Sequence, residues 1–347
     1  MTTSQLEERG REAGIYFTAA DLMSAEFAEP TWAVPGLVAE GLNLLVGSPK
    51  LGKSWLCLGL GVSIASGGKA LGKIDVDQGA VLYAALEDTP RRLQGRLQAV
   101  LGSQPVPTDL HIVTNLPRGL QMAELVSEWL THTPNARLVI IDVLRKVTAR
   151  SDARSSGYEA DYDSMGLLKA LADKHGVAVL AVHHTRKMVD DTDVFNEVSG
   201  STGLTGAADA ILIAKRSRNT AEAVLHVTGR DVTEQEYGLV WHAEGCSWSL
   251  SEEPVHLSMM GGTRRTILSW ITEHEGDTPT AIAKGTDVPL ATVKQTVRRM
   301  VEDDQLASDG EGRYFLPLSL SPVSPVSPGY GFGDSGDSGD TLLGVTA

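Results

Sequence analysis

Gly47-Ser48-Pro49-Lys50-Leu51-Gly52-Lys53-Ser54 is the stretch whose reading decides the fold of this 347-residue chain. It fits G-x-x-x-x-G-K-[ST], a loop whose glycines let the backbone turn tightly enough for its N–H groups to surround phosphates. A helix starting behind such a loop adds the positive end of its dipole. In that arrangement Lys53 sits against the β- and γ-phosphates and Ser54 holds Mg²⁺ through its hydroxyl. Gly47 to Ser54, with Trp55 next in line, are therefore the expected ATP-binding segment. An ordinary glycine turn is the alternative, and the flanks argue against it. Leu42-Asn43-Leu44-Leu45-Val46 reads as a buried strand, and Ser54 to Leu60, extended by Ile64, reads as a buried helix. Strand, glycine loop, helix is the order the motif requires.

Working outward, 42% hydrophobic residues mark a globular protein, long enough for one large domain and one small one. No apolar run is long enough to cross a bilayer, and Met1 to Gly14 is polar and charged, so a soluble, cytoplasmic protein without a membrane partner is expected. Cys57 and Cys246 are too far apart in sequence to suggest a disulfide framework or a metal cluster. A net charge of −14 argues against non-specific coating of DNA but leaves room for a local basic channel.

After the first helix, Gly79 to Leu86 reads as a second strand ending at Glu87-Asp88-Thr89-Pro90. Asp88 or Thr89 before a proline starts a helix, which explains Asp88 structurally. Glu87 has no such explanation. It stands at the carboxyl end of a strand, where open α/β sheets place ligands, and is the catalytic candidate, with a surface carboxylate as the plain alternative. Leu110 to Val113 reads as a strand and Leu120 to Leu130 as a helix. Arg137-Leu138-Val139-Ile140-Ile141-Asp142 then ends an apolar strand in a carboxylate. After a phosphate loop that Asp orients Mg²⁺, although many buried strands end in Asp as a turn residue.

Residues 143–157 carry Arg145, Lys146, Arg150 and Arg154, either a solvated loop or one that contacts a nucleic-acid strand. A helix near Tyr158 to His175 leads into the strand Val177 to Val182 and then His183-His184-Thr185-Arg186-Lys187. Adjacent strand residues point to opposite faces, so the two histidines do not easily grip one ion together. One histidine at the strand tip, near the γ-phosphate and reporting its presence to the next loop, is the better reading. The glycines of 200–206 predict a mobile loop. Ala210 to Ala214 reads as a strand closed by Lys215-Arg216. Ala223 to Val227 and Gly238 to Trp241 follow around a hinge at Gly229-Arg230-Asp231, and Cys246 to Leu250 ends this part. Alternating strands and helices predict a mainly parallel sheet with an antiparallel addition.

The phosphate loop, Ala-Leu-Glu-Asp, Val-Ile-Ile-Asp, His-His-Thr-Arg-Lys and Gly-Arg-Asp together resemble the RecA-like P-loop ATPases. Within them, residues 30–250 are most similar to the RepA-type hexameric replicative helicases of plasmids, phages and bacteria. The resemblance implies an α/β RecA-like core using ATP and Mg²⁺. It implies that Glu87 activates the attacking water and that His184 or His183 senses the γ-phosphate. It also implies a homo-oligomeric ring, a hexamer, in which a basic residue of the neighbouring subunit completes each site. Arg230 is the best match for that arginine finger, with Lys215 and Arg216 next, since a guanidinium stabilises charge spreading over the transferring phosphoryl group. Loops after Asp142 and His184 would line a pore and hold single-stranded DNA, through Arg145, Lys146, Arg186 and Lys187. With no aromatic-rich platform there, the contacts would be mainly to phosphates. A replication initiator or a primase is the further partner to expect.

The chain divides into a leader (1–35), the ATPase domain (36–250), a linker (251–262), a compact module (263–316) and a low-complexity, disordered tail (317–347). Three helical stretches and a short strand make the module similar to a winged helix-turn-helix, with Lys294, Arg298 and Arg299 on the helix expected to enter a groove. Its acidic residues outnumber its basic ones, which suits a protein contact as well as DNA. The function expected is ATP hydrolysis coupled to translocation or unwinding on single-stranded DNA in replication. The alternatives are an ATP-switched DNA-binding regulator, or a helicase loader or recombination mediator that does not unwind. Glu87 favours hydrolysis, because a switch needs no base.

Overall fold

The computed structural model describes residues 17–26, 29–149, 157–184, 206–216, 222–252, 255 and 262–317. The chain forms two compact units, residues 1–259 and 260–347.

In the first unit, α1 (Ala19–Ser24) starts at a capping box: Thr18 accepts from the Asp21 N–H while the Asp21 carboxylate accepts from the Thr18 N–H. A hairpin follows, β1 (Trp32–Val34) and β2 (Val38–Ala39), and its Ala33, Val34 and Leu37 are already buried in the core. β3 (Gly41–Gly47) is buried along its whole length. α2 (Lys53–Ser66) stops at Gly67, whose left-handed φ of 66° suits a residue without Cβ. A small ribbon, β4 (Lys69–Ala70) and β5 (Ile74–Asp75), leads to β6 (Ala80–Ala85). α3 (Pro90–Leu101) is capped by the Thr89 hydroxyl, with proline in its first turn. Then come β7 (Leu110–Val113), α4 (Leu120–His132), β8 (Ala136–Asp142), the single turn α5 (Leu144–Val147), α6 (Gly157–His175) and β9 (Ala178–His184). β10 (Ala210–Arg216), β11 (Glu222–Gly229), β12 (Gln235–His242) and β13 (Ser247–Leu250) complete the unit.

Among the described residues the main sheet has nine strands, in the order β13-β12-β11-β10-β3-β9-β8-β6-β7. From β10 to β7 all pairs are parallel; β10–β11, β11–β12 and β12–β13 are antiparallel. Consecutive residues of a strand serve opposite faces, so both Leu44 and Leu45, both Leu82 and Tyr83, and both Ile140 and Ile141 are buried, one in each of two core clusters. That is why the strands read as continuous apolar runs.

The amino-terminal edge of the sheet is pinned by Asp209. Its carboxylate accepts from the Leu42 N–H at 2.8 Å and pairs with Lys169 at 2.9 Å. Gly41, at φ +97°, lets the backbone approach so closely that a Cβ there would lie 2.5 Å from the Asp209 carboxylate oxygen.

The second unit contains α7 (Gly262–Glu273), α8 (Pro279–Thr286), α9 (Leu290–Glu302) and a hairpin of β14 (Ala307–Ser308) and β15 (Tyr314–Phe315). Ile267, Leu268, Ile271, Ile282, Val293, Val297 and Met300 form its interior. The expected helices and strand are present, and β14 supplies the strand a partner that the sequence did not announce. Among the described residues no helix is long and apolar enough to cross a membrane. The glycine loop expected at 200–206 lies almost wholly outside the described residues, and the tail expected at 317–347 lies outside them beyond Pro317.

Candidate active site

Parallel register brings the carboxyl ends of four strands to one edge. Gly47 of β3 pairs with His184 of β9, and Ala85 of β6 pairs with Asp142 of β8. The Leu86 N–H donates to the Asp142 carbonyl at 2.8 Å, fixing the turn that carries Glu87 beside the end of β8. The phosphate loop leaves β3 here. Gly52, at φ +113°, turns it into α2, a conformation that a side chain would strain.

Lys53 is only 5% exposed. Its Nζ donates to the carbonyls of Gly47 (2.6 Å) and Ser48 (3.0 Å) and lies 3.1 Å from His184 Nδ1. An ammonium has only donors, so Nδ1 is the acceptor and His184 is neutral in this arrangement. Partial burial, followed by the Lys53 charge, pushes His184 below its ordinary range. Burial also lowers Lys53 to about 8, against the pull of Asp142, Cys57 and Glu87. The lysine thus folds back on its own loop. A groove of about 400 Å³ lies along α2, lined by Trp55, Leu60, Ser63, Val100 and Trp248.

Asp142 is 8% exposed, and burial raises its carboxyl above the ordinary range; hydrogen bonds from Ser54 and Tyr83 act in the other direction. The Tyr83 hydroxyl donates to Asp142 Oδ2 at 3.0 Å and stands 3.4 Å from the Ser54 carbonyl oxygen. The Ser54 hydroxyl and the Asp142 carboxylate are themselves hydrogen-bonded, so the two side chains that would hold Mg²⁺, the carboxylate usually through water, stand together. Among the described residues no group of three or more His, Cys, Asp or Glu is arranged to hold a metal. The residues present fit a Mg²⁺ that draws its remaining ligands from phosphate and water.

Glu87 is exposed on the turn after β6, and its charge acts on Lys53, Asp142 and His184. Its neighbour Asp88 is tied down by Arg92 at 2.8 Å and by Arg96, while Thr89 caps α3. Arg145 and Lys146 are exposed on α5, just past Asp142 at the same edge. Arg186 and Lys187 lie outside the described residues. Arg230 stands at the opposite edge of the sheet, 3.6 Å from Asp209 and 3.4 Å from the Gly206 carbonyl, so it does not join its own chain's site. Arg216 does approach the phosphate loop, 3.5 Å from the Leu51 carbonyl. In the second unit Lys294, Arg298 and Arg299 are exposed on α9, with Arg298 paired to Glu302 at 3.0 Å.

Sequence reading did not single out Tyr83 or Trp248. The signal for Tyr83 was present: a tyrosine inside an apolar strand must find a partner for its hydroxyl.

The sequence matches the AAA domain family over residues 9–190. No curated protein matches it. Among solved structures, one described as an ATPase domain superposes with a TM-score of 0.52 at 16% identity, covering 61% of this chain and 85% of that one. The structure of a DnaB-like replicative helicase, described with its interactions with primase, superposes with a TM-score of 0.50 at 15% identity; 60% of this chain covers 57% of that one. At these identities the likeness is one of fold: a RecA-like α/β core around a mainly parallel sheet, as expected.

Proposed function

Because the chain belongs to the AAA domain family, we propose that it is a Mg²⁺-dependent ATPase that couples hydrolysis to movement along single-stranded DNA in replication, as a homo-oligomeric ring in the cytoplasm. The observation that carries this reading is the meeting of Lys53, Ser54, Asp142, His184 and the Glu87 turn at one edge of the sheet. Lys53 exchanges the carbonyls of Gly47 and Ser48 for the β- and γ-phosphates, and the loop N–H groups take the remaining oxygens. Ser54 and Asp142 would hold Mg²⁺, which would neutralise charge on the phosphate oxygens. Glu87 orients water and accepts its proton. His184, released by the lysine, takes a hydrogen bond near the γ-phosphate and passes the change to the chain after β9. A basic residue of a neighbouring subunit completes the site. Arg230 is free of its own chain's site and so remains the first candidate. Arg145 and Lys146 are placed to meet DNA phosphates, with Arg186 and Lys187 as further candidates.

A replicative helicase among the proteins of this fold supports the choice of DNA as partner, and the primase named with it supports primase as a recruiting partner. The test is ATP turnover with and without single-stranded DNA. DNA is expected to raise the rate. Lys53→Ala is expected to abolish both binding and turnover, and Glu87→Gln to abolish turnover while ATP still binds. Negligible, DNA-independent turnover by the wild type would overturn the reading, and strand displacement on a forked duplex separates a motor from a loader. The exposed Lys294, Arg298 and Arg299 on α9 favour a second reading, an ATP-switched regulator that reads duplex DNA through the second unit. Deleting residues 262–317 removes duplex binding if that reading holds.

A further inference from the structure

The phosphate loop is held from outside by the antiparallel part of the sheet. The Trp248 indole N–H, on β13, donates to the Gly52 carbonyl at 3.3 Å. That carbonyl also accepts the Leu56 N–H at 3.0 Å, so the indole is tied to the first turn of α2. Contact is close: a Cβ on Gly52 would lie 3.0 Å from the indole nitrogen and 3.2 Å from a ring carbon. Arg216, at the end of β10, donates to the next carbonyl, that of Leu51, at 3.5 Å and lies over the Trp248 ring, 5.2 Å from its centroid.

From Trp248 the contacts continue in a ladder. Trp241 on β12 is 5.2 Å from Trp248, and Trp55 on α2 is 5.9 Å from Trp241. Arg96 on α3 lies 5.0 Å over Trp55 and pairs with Asp88, the residue after Glu87. The two ends of this ladder are thus the two parts of the site that must keep register, the loop that holds phosphate and the turn that carries the carboxylate.

We infer that Trp248 and Arg216 are positioning residues that clamp the carbonyl side of the phosphate loop, and that the ladder from Trp248 to Arg96 holds that loop in register with Glu87. Backbone N–H groups can face phosphates only while the carbonyls behind them stay fixed, which gives the indole N–H and the guanidinium their role. Arg216 thereby acts within its own chain. The inference rests on the ATPase reading of the site.

The experiment measures steady-state ATP hydrolysis, melting temperature and tryptophan emission on the full chain. Trp248→Phe keeps a ring but loses the N–H; it is expected to raise KM for ATP about fivefold, the worth of about one hydrogen bond, with kcat less affected. Arg216→Lys, which loses stacking and fork geometry, is expected to raise KM several-fold and carries the test if Trp248→Phe does not fold. Arg96→Gln, at the far end, is expected to lower kcat with KM within about twofold. ATP and Mg²⁺ are expected to change tryptophan emission in the wild type and in Trp129→Phe but not in Trp248→Phe. Wild-type KM and kcat in Trp248→Phe and Arg216→Lys overturn the clamp, as do losses that merely follow a lowered melting temperature. A wild type that neither turns over ATP nor changes emission overturns the ATPase reading and the clamp with it. A wild type that does both beside unaffected variants overturns the clamp alone.

Discussion

Lys53 is itself buried, and that burial lowers it to about 8. Phosphates placed beside it favour the ammonium and raise that value. Between the free and bound values, binding must therefore take up a proton, so affinity for ATP is highest below pH 8 and falls as the pH rises beyond it, at the limit tenfold per unit. Calorimetry at about pH 9, in two buffers of different ionisation heat, is expected to report proton uptake; none would contradict the assignment. Tyr83 offers a second check. Tyr83→Phe removes a donor to the buried Asp142 carboxylate and is expected to cost about 2 kcal/mol in urea unfolding. Lys53 was legible as a candidate from the glycine-loop motif, and Glu87, Asp142 and the histidine pair because each stands at or just past the end of an apolar strand. Strand alternation left the choice between the two histidines open; the register sets His184 beside Gly47 and His183 beside Val46. The partners of Tyr83, Trp248 and Arg216, which are Asp142, Gly52 and Leu51, lie on elements distant in sequence, and no local pattern encodes those pairings.

Within single elements, glycine has different meanings at different places. Gly41 combines a positive φ with the Asp209 carboxylate against its absent side chain, so Gly41→Ala is expected to cost about 3 kcal/mol by denaturant unfolding. Gly95 lies in α3 with nothing within 4 Å of a Cβ, so Gly95→Ala is expected to stabilise by about 1 kcal/mol in the same measurement. The sequence distinguishes the two only in part: a glycine inside a helical pattern is visible, but the close approach of a residue as distant along the chain as Asp209 is not. The parallel strands, with their continuous apolar runs, were legible to within a residue or two, whereas β12 begins three residues before the stretch read as a strand. The ribbons β1–β2, β4–β5 and β14 were not, because two or three residues are too few to show a period.

Across the whole chain, alternation announced a parallel sheet with an antiparallel end, but not its order. Which strands flank β3 depends on crossovers that sequence spacing leaves open. The residues gathered at the candidate site all belong to the first unit. A protein ending at residue 259 is therefore expected to bind ATP within about twofold of the full chain in equilibrium titration. A larger loss would mean that residues beyond 259 take part in the site.

The central place of β3 has a consequence for how the molecule is made. Its two neighbours are β9 and β10, which end at His184 and Arg216. The ribosome therefore completes the phosphate loop long before it completes either flank of the strand that supports it. At translation speeds of roughly 5–20 residues per second, a wholly buried, mostly apolar segment waits on the order of ten seconds for partners. During that interval the nascent polypeptide offers chaperones, or a neighbouring copy on the same message, a sticky strand well before it offers ATP a place to bind.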